Sequence, residues 1–318
     1  MLTVIESLQS TLFERGVLPV LYGLGLMRLA EDAYAATGWV LIGILEVALV
    51  WLILRPLEAW RPVETWPDRR AVRVDVLYTL LERAGVIPLV FFFTLRPAVD
   101  WLDGRLRFVG YIPPQIEDFL PRLHEHPLAA FLLYLVMLDA SEYARHRLQH
   151  RLAWWWALHA VHHSQRQLSL WSDDRNHVVD SLIADLWRSL VTLLIGVPGG
   201  SFILIVMLTR GIESLAHANV RLGFGVLGDR LLVGPRYHRL HHGIGVGHEG
   251  PAQGRNFAAI LPIWDVVFRT ADFSRVAVPT GIRDQLQGVD YGQGFWSQQG
   301  KALARTVQTL VPTPRSPA

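Results

Sequence analysis

Long apolar runs separated by short arginine-rich stretches dominate the chain. The clearest runs cover residues 39–54, 86–102 and 128–143, and a double run covers residues 181–216 around the turn sequence GVPGG. Each run approaches the roughly 20 residues that cross a bilayer as a helix. The proline and glycines of the turn end one arm of the double run and begin the next. The pattern predicts an all-α polytopic membrane protein with four to six membrane helices.

The basic residues between the apolar runs predict the orientation in the membrane. Short loops rich in lysine and arginine face the cytoplasm, and residues 55–83 contain six arginines. If this stretch is cytoplasmic, alternating crossings place residues 144–178 and everything after residue 216 on the same face. We therefore expect an integral membrane protein, in a bacterial inner membrane, with its active site on the cytoplasmic side.

Composition agrees with this class and excludes others. Hydrophobic residues make up 51% of the chain and charged residues 18%, below the roughly 25% of soluble domains. The chain has no cysteine, so disulfides, thiolate catalysis, iron–sulfur clusters and cysteine-bound zinc are excluded. The net charge is only +2, and the basic residues border apolar runs, which suits lipid headgroups and predicts no nucleic-acid partner.

Histidines are concentrated where the apolar runs end. The segment HRLQH and two HxxHH segments have spacings that place imidazoles on one helix face, and a further histidine ends the double run. Nine nitrogen ligands exceed the four to six of a single centre, so the sequence predicts a dimetal centre in a cytoplasmic histidine-rich cap. A bis-histidine haem would use single histidines on facing helices instead. The nine residues are His146, His150, His159, His162, His163, His217, His238, His241 and His242.

In this order, the histidine segments resemble the fatty acid hydroxylase/sterol desaturase superfamily of integral-membrane di-iron enzymes. The similar segments are DASEYARHRLQH, LHAVHHS, HANV, PRYHRLHH and NFAAILPIWDVVFRT, between about residues 128 and 270. The chain departs from the family pattern at Ala140 and Ala144, where aromatic residues are usual, and at FRT in place of FGT. The resemblance is to a bacterial member and leaves the substrate open.

The resemblance implies the chemistry. We expect two iron ions, with zinc as an alternative occupant of purified protein, and O₂ as cosubstrate. The expected reaction is hydroxylation of a membrane lipid (fatty acyl, sterol-like, ether-lipid or aminolipid), with desaturation as the alternative. No HPGG haem-binding sequence is present, so a separate electron donor, a ferredoxin or a cytochrome with its reductase, is expected. The predicted domains are N-terminal membrane helices (1–127), the catalytic domain (128–270) and a C-terminal extension (271–318).

The sequence also predicts structural or catalytic roles for several residues near the histidines. Asp139, two helical turns before His146, is predicted either to orient a ligand histidine as part of the catalytic machinery or to pack the helix. The resemblance makes His177 a tenth metal ligand or a group behind the ligands. Asp265 is expected to fix a turn, His248 to face solvent, and the three tryptophans at 154–156 to lie at the membrane interface or to form a lipid-contacting wall.

Two other kinds of protein remain as alternatives. A zinc-dependent membrane hydrolase could use the same histidines, with Glu142 or Glu213 as general base, although neither lies in an HExxH segment. A non-catalytic membrane protein with the same fold is the third possibility, and the complete set of histidine segments argues against it.

Overall fold

The computed structural model describes residues 2–276 and 278–311, and residues 312–318 at the end of the predicted extension lie outside this description. In the described part the secondary structure is helical, with one isolated β-bridge between Gly243 and Thr280. The predicted all-α class is confirmed. The α-helices are α1 (Leu2–Leu12), α2 (Leu18–Gly23), α3 (Ala30–Trp60), α4 (Arg70–Arg83), α5 (Val86–Thr94), α6 (Arg96–Phe108), α7 (Ile116–Phe119), α8 (Pro127–Arg151), α9 (Ala153–His163), α10 (Val178–Ile195), α11 (Gly199–His217), α12 (Gly225–Leu231), α13 (Pro235–His241), α14 (Ile263–Val267) and α15 (Phe295–Leu310).

Four helical segments are long and apolar enough to cross a membrane, within the predicted number. They are Met27–Trp60, Arg70–Thr94, Pro127–Arg151 and Gly199–His217. The double run is a helix pair, α10 and α11, joined at Gly196 as predicted, and Gly196 has the left-handed φ of 64° that favours glycine. Only α11 is a candidate span, because α10 carries three charged residues within its 18.

The second span differs from the predicted run at residues 86–102. It begins at Arg70, bends at Gly85 (φ 118°) and ends at Thr94, and α6 then starts as a separate helix with Pro97 in its first turn. Arg83 lies inside the span because its charge is neutralised internally. Its guanidinium is 2.7 Å from carboxylate oxygens of both Asp173 and Asp174.

The two ends of the helix bundle can be recognised from loop contacts. At the histidine end, the loop after α3 contacts the chain after α11: the Asn219 side chain donates to the Glu64 carbonyl at 2.7 Å. At the other end, Tyr111 donates to the Leu194 carbonyl at 3.2 Å, beside the α10–α11 turn. The 19 residues of α11 separate these ends by roughly 28 Å. The loop after α3 and the histidines thus share one end, and its cytoplasmic orientation stays a prediction.

Helix α9 is packed between the bundle and the C-terminal helix. Val161 of α9 and Ala302 of α15 are completely buried in one cluster with Tyr78 of α4, and the Tyr78 hydroxyl donates to Gln298 at 2.9 Å. Helix α15 therefore packs against both α9 and α4. The predicted domain boundaries stay predictions, but the described part of the C-terminal extension packs directly against the predicted catalytic domain.

Candidate metal centre

Nine of the ten predicted ligand histidines converge in two groups. Each residue offers one ring nitrogen, and within a group these nitrogens all lie within 4.8 Å of one another. All nine side chains are buried except that of His146, which is half-buried. The five-histidine group contains His146, His150, His159, His163 and His241, and the four-histidine group contains His162, His217, His238 and His242.

Helical geometry distributes neighbouring histidines between the two groups. Successive residues of an α-helix point about 100° apart, so His162 and His163 of α9 belong to different groups. His241 and His242 at the end of α13 are divided in the same way. The HxxHH spacing thus lets one short helix serve two neighbouring sites.

In the five-histidine group the protein fixes the ring orientations. Four of the five Nδ1 atoms lie within 3.2 Å of an oxygen of the protein. A carbonyl oxygen can only accept, so the ring nitrogen facing it carries the proton and Nε2 presents a lone pair. All five Nε2 atoms are buried without a hydrogen-bond partner, as expected of metal ligands. The partners of Nδ1 are Phe257 O for His146 (2.8 Å), Gln253 O for His150 (3.1 Å), Arg255 O for His241 (2.7 Å) and Asp180 Oδ2 for His159 (3.2 Å).

The three carbonyl partners come from alternate residues of one loop, 253–257. Asn256, at its centre, has a left-handed φ of 58°, and its side chain donates to the Tyr237 and Asp272 carbonyls at 3.0 and 2.9 Å. Gly254 is required by close approach, since a Cβ there would lie 2.6 Å from the Gly247 oxygen. The segment identified by resemblance begins at Asn256, and the carbonyl acceptors of residues 253, 255 and 257 have no side-chain signal in the sequence.

The four-histidine group is arranged differently. The Nε2 of His217 lies 3.0–3.2 Å from the Nε2 atoms of the other three members, and those of His238 and His242 are 3.2 Å apart. A metal–nitrogen distance of 2.0–2.1 Å in a tetrahedral site gives nitrogen–nitrogen distances of about 3.3 Å. His217 donates its Nδ1 proton to the Glu213 carbonyl at 2.7 Å, so its Nε2 is unprotonated and presents a lone pair. One cation would satisfy these nitrogens together.

Burial keeps the histidines in the neutral, ligand-competent form. It lowers the pKa of His241 to about 3 and holds the pKa of His162, His163, His238 and His242 well below their ordinary range. A protonated imidazole has no lone pair for a metal. At neutral pH the rings are therefore ready to bind a cation without releasing a ring proton.

Asp139 does not contact a histidine. Its carboxylate accepts hydrogen bonds from the Ile260 and Leu261 amides at 2.9 and 3.1 Å and from the Trp264 indole at 2.8 Å. These contacts support the helix-packing alternative for Asp139 and correct its placement in the catalytic set. The carboxylate that orients a ligand histidine is Asp180, in the first turn of α10.

Asp180, which is buried beside α8 and α9, was not predicted from the sequence. It accepts hydrogen bonds from the Gln149 amide at 2.8 and 3.0 Å and from the Trp155 indole at 2.7 Å, in addition to His159. The sequence signal that could have identified Asp180 is an acidic residue three positions after His177, at the start of an amphipathic helix.

His177 lies outside both groups. Its Nδ1 accepts the Val179 amide and caps α10, and its Nε2 lies 3.1 Å from the Gln299 carbonyl. Both ring nitrogens of His177 have partners within the protein, so His177 is not among the candidate ligands. The predicted set of ten ligand histidines is therefore reduced to nine candidates. The expected turn-fixing role of Asp265 agrees with the structure, because its carboxylate accepts the Phe257 and Ala258 amides at 2.9 Å.

The structure also shows what surrounds Trp155, Trp156 and His248. Trp155 is buried against Asp180, and Trp156 stacks on His248 with ring centroids 3.5 Å apart and an interplanar angle of 4°. The His248 ring lies 5.7 Å from that of His150. Trp155 and Trp156 therefore pack against the candidate site, half-buried His248 does not simply face solvent, and the interfacial position of the tryptophans stays a prediction.

Two cavities lie near the histidine groups and share part of their walls. The first, which we call the polar chamber, has a volume of about 110 Å³, and its wall includes His146, His159, His162, His217 and His238. The second, the apolar chamber, has a volume of about 460 Å³ and lies among the membrane helices. Its wall contains no histidine, and both chambers share Arg188 and Arg210. These two arginines therefore lie where the walls of the two chambers adjoin.

Comparison with known proteins agrees with the fold and the site. Residues 131–270 match the family model described as fatty acid hydroxylase. Ornithine lipid hydroxylase OlsE of Rhizobium tropici is 29% identical over 265 residues, 80% of this chain and 73% of that protein. Alkylglycerol monooxygenase of Danio rerio is 31% identical over 133 residues, covering 42% of this chain and 28% of its own length. The enzyme of that name from Homo sapiens is 27% identical over 145 residues, 46% and 31% of the two chains.

No solved structure matches the chain. The helices and the two histidine groups define a helical membrane protein with a candidate dimetal site. The match over residues 131–270 is to a fatty acid hydroxylase domain, and it agrees with the predicted resemblance to the fatty acid hydroxylase/sterol desaturase superfamily. The relatives are named as hydroxylases and monooxygenases that act on lipids.

Proposed function

We propose that this protein is an O₂-dependent hydroxylase of a membrane lipid that holds two iron ions in its histidine groups. The observation that supports it best is the pair of buried groups, five and four histidines, whose free ring nitrogens converge. Imidazole suits iron, and the unpartnered Nε2 atoms of the five-histidine group fit a bound cation. Zinc, which also accepts imidazole, would be an alternative occupant of purified protein.

The reaction consumes a co-reductant as well as oxygen. Written in balance, R–H, O₂, two electrons and two protons give R–OH and water, so one oxygen atom enters the lipid and the other leaves as water. The iron ions, when bound, supply the reduction of O₂ and the oxidation of the C–H bond. We propose a separate electron donor, a ferredoxin or a cytochrome with its reductase.

The protein's own residues hold and shield the reacting groups. The loop 253–257 and Asp180 retain the Nδ1 protons of four ligand rings, which fixes the lone pairs toward one point. Burial excludes water from the ligands and preserves the neutral imidazoles. The chambers would position the substrate, with the lipid chains in the apolar chamber, the reacting carbon near the histidines of the polar chamber, and Arg188 and Arg210, which line both, between them.

The test is a comparison of lipids with and without the gene. We expect a membrane lipid with one extra oxygen to disappear on deletion, to return with the wild-type gene, and to be absent without O₂. The variant His162→Ala should restore no product, although the protein still inserts in the membrane. A species with one extra double bond would establish the desaturase alternative. An O₂-independent product, retained after replacement of iron by zinc, would establish the zinc hydrolase.

We also propose that the histidine end faces the cytoplasm of a bacterial inner membrane. The loop after α3, which shares that end, carries Arg61 and Arg69, as cytoplasmic loops do. Reporter fusions after Trp66 and Gly250 should both report the cytoplasm, and a fusion after Gly110 the opposite face. Opposite reports from the first two positions would contradict the arrangement of the helices.

A further inference from the structure

The polar chamber has more acidic than basic side chains in its wall. Two of its carboxylates, Asp173 and Asp174, are paired with Arg83. Glu82 and Glu213 also line the chamber, and in the described part of the chain neither has a basic nitrogen within 4.0 Å, whereas every arginine of the wall lies within that distance of a carboxylate. Glu82 is 9% exposed. Within the described residues, the wall therefore offers two carboxylates that have no ion-pair partner.

Gln149 supplies a third unpaired acceptor in the same wall. Its amide nitrogen donates to both oxygens of Asp180, at 2.8 and 3.0 Å. Because a carboxylate only accepts, this contact fixes the amide nitrogen toward Asp180 and leaves the Gln149 carbonyl oxygen on the other side. That oxygen is buried without a partner, and the residue is 2% exposed. An unpaired buried acceptor is costly unless a ligand supplies a donor.

We propose that the polar chamber binds an ammonium group in the head of the lipid substrate. This inference rests on the proposed function and adds the substrate class, an aminolipid. A primary ammonium has one positive charge and three N–H donors, which match the two carboxylates and the one amide oxygen. The chains of the lipid occupy the apolar chamber, with Arg188 and Arg210 at the boundary of head and chains.

The same arrangement predicts where the oxygen is added. The histidines line the polar chamber, and no histidine lines the apolar chamber. An acyl methylene in the polar chamber would leave Glu82 and Glu213 without a cationic partner and Gln149 without a donor, and the head of a sterol or a neutral ether lipid, whose hydroxyl groups donate but carry no charge, would leave the two carboxylates uncompensated. The carbon that is oxidised therefore belongs to the head of the lipid or lies next to it.

The excess of carboxylates in the wall of the polar chamber could instead balance the positive charge of the metal ions, because neutral imidazole ligands do not offset that charge. The two roles predict different behaviour of Glu82→Gln. A charge-balancing residue lowers metal content when it is neutralised. A headgroup-binding residue leaves metal content unchanged and lowers the preference for amine-bearing lipid.

The experiment uses the full-length, iron-loaded protein in phosphatidylglycerol nanodiscs, which contain no amine. The probes are Nα-palmitoyl-ornithine, with a free side-chain amine, and its Nδ-acetyl derivative, and retention is measured by mass spectrometry. We expect the wild type to retain the free amine at least about tenfold better than the acetylated probe. Glu82→Gln should bring this ratio close to one at unchanged metal content, and the exposed control Glu31→Gln should keep the wild-type ratio.

Equal retention of the two probes by the wild type would overturn the inference, as would loss of metal from Glu82→Gln with the ratio preserved. If Glu82→Gln fails to insert, Glu213→Gln replaces it with the same expectation. When O₂ and reduced ferredoxin are supplied, fragmentation of the oxidised probe adds an independent readout, since an oxygen on the palmitoyl chain contradicts the headgroup inference but supports the lipid hydroxylase. Selective retention without any oxidised product under these conditions supports the chamber and contradicts the proposed function.

Discussion

The two histidine groups differ in what holds their rings. In the five-histidine group, three Nδ1 atoms contact backbone carbonyls and one contacts a carboxylate. In the four-histidine group only His217 has such a partner, and the Nδ1 atoms of the other three are buried without one. The protein scaffold therefore orients the first group, whereas the second depends on what lies between its ring nitrogens. The first group should be preformed without metal and the second should not.

The largest effects are expected from breaking one group at a time. His241→Ala removes a ligand of the five-histidine group, and His242→Ala, its neighbour in the chain, removes one of the four-histidine group. Each variant should abolish O₂-dependent product and lower the metal content from about two ions per chain to one. Elemental analysis and lipid profiles of the two purified proteins measure this.

The same two variants also test which histidine group is preformed. The ion that remains in His242→Ala occupies the preformed five-histidine group. A chelator should remove it about tenfold more slowly than the ion that remains in His241→Ala, because orienting partners of this kind contribute 10–100-fold to metal affinity. Equal rates would show that the carbonyl contacts do not preorganise the first group, and two ions retained in either variant would contradict the division into groups.

Acidification should affect both groups alike, because burial is the main cause of the lowered histidine pKa in each. Burial lowers the pKa of His241 to about 3 and that of His242 well below its ordinary range, while an unfolded histidine titrates near 6.5. Between these values the unfolded chain binds more protons, so the free energy of unfolding falls as the pH falls below about 6.5.

We therefore expect metal loss and a falling melting temperature below that pH, and a plateau above pH 7. Metal content and thermal unfolding of the detergent-solubilised protein, measured from pH 8 to pH 5, test this. Wild type, His241→Ala and His242→Ala should show the same midpoint. A stability that rises on acidification would contradict the burial argument.

Asp180→Asn should weaken the five-histidine group without removing a ligand. The amide is a weaker acceptor for the His159 Nδ1 proton and for the Trp155 indole, and loss of such a partner typically costs 10–100-fold in metal affinity or activity. Metal titration of His242→Ala with and without Asp180→Asn measures the effect on this group alone. The exposed Asp290→Asn is the matched control, and an equal effect of both changes would exclude an orienting role.

Much of the fold and the ligand set could be predicted from sequence because both depend on periodic side-chain patterns. The apolar runs predicted the spans, and the i, i+3 and i+4 spacings placed histidines such as His159 and His163 on one face. The second span was misplaced because Arg83 looked like a loop residue. Its carboxylate partners come from residues 173 and 174, and no local pattern reveals such a distant pairing.

The parts of the site that sequence could not provide are contacts between segments. The carbonyls of residues 253, 255 and 257 orient three rings, and every residue has a carbonyl, so composition cannot mark them. Asp139 was proposed because it precedes His146 on the same helix, and Asp180 was not considered. The structure shows that tertiary packing brings Asp180 to His159 from another helix.

The smallest effect should come from His248, which supports the five-histidine group without belonging to it. Its ring stacks on Trp156, whose own ring centroid lies 4.9 Å from His150 and 5.2 Å from His163. Stacked aromatic pairs contribute about 0.5–1.5 kcal/mol, so His248→Ala should lower activity only a few-fold, with two ions retained. His248→Phe keeps the stacking and removes the ring nitrogens, and it should behave as wild type. If His248→Phe lost one ion, His248 would be a ligand, and the five-histidine group would have a sixth member.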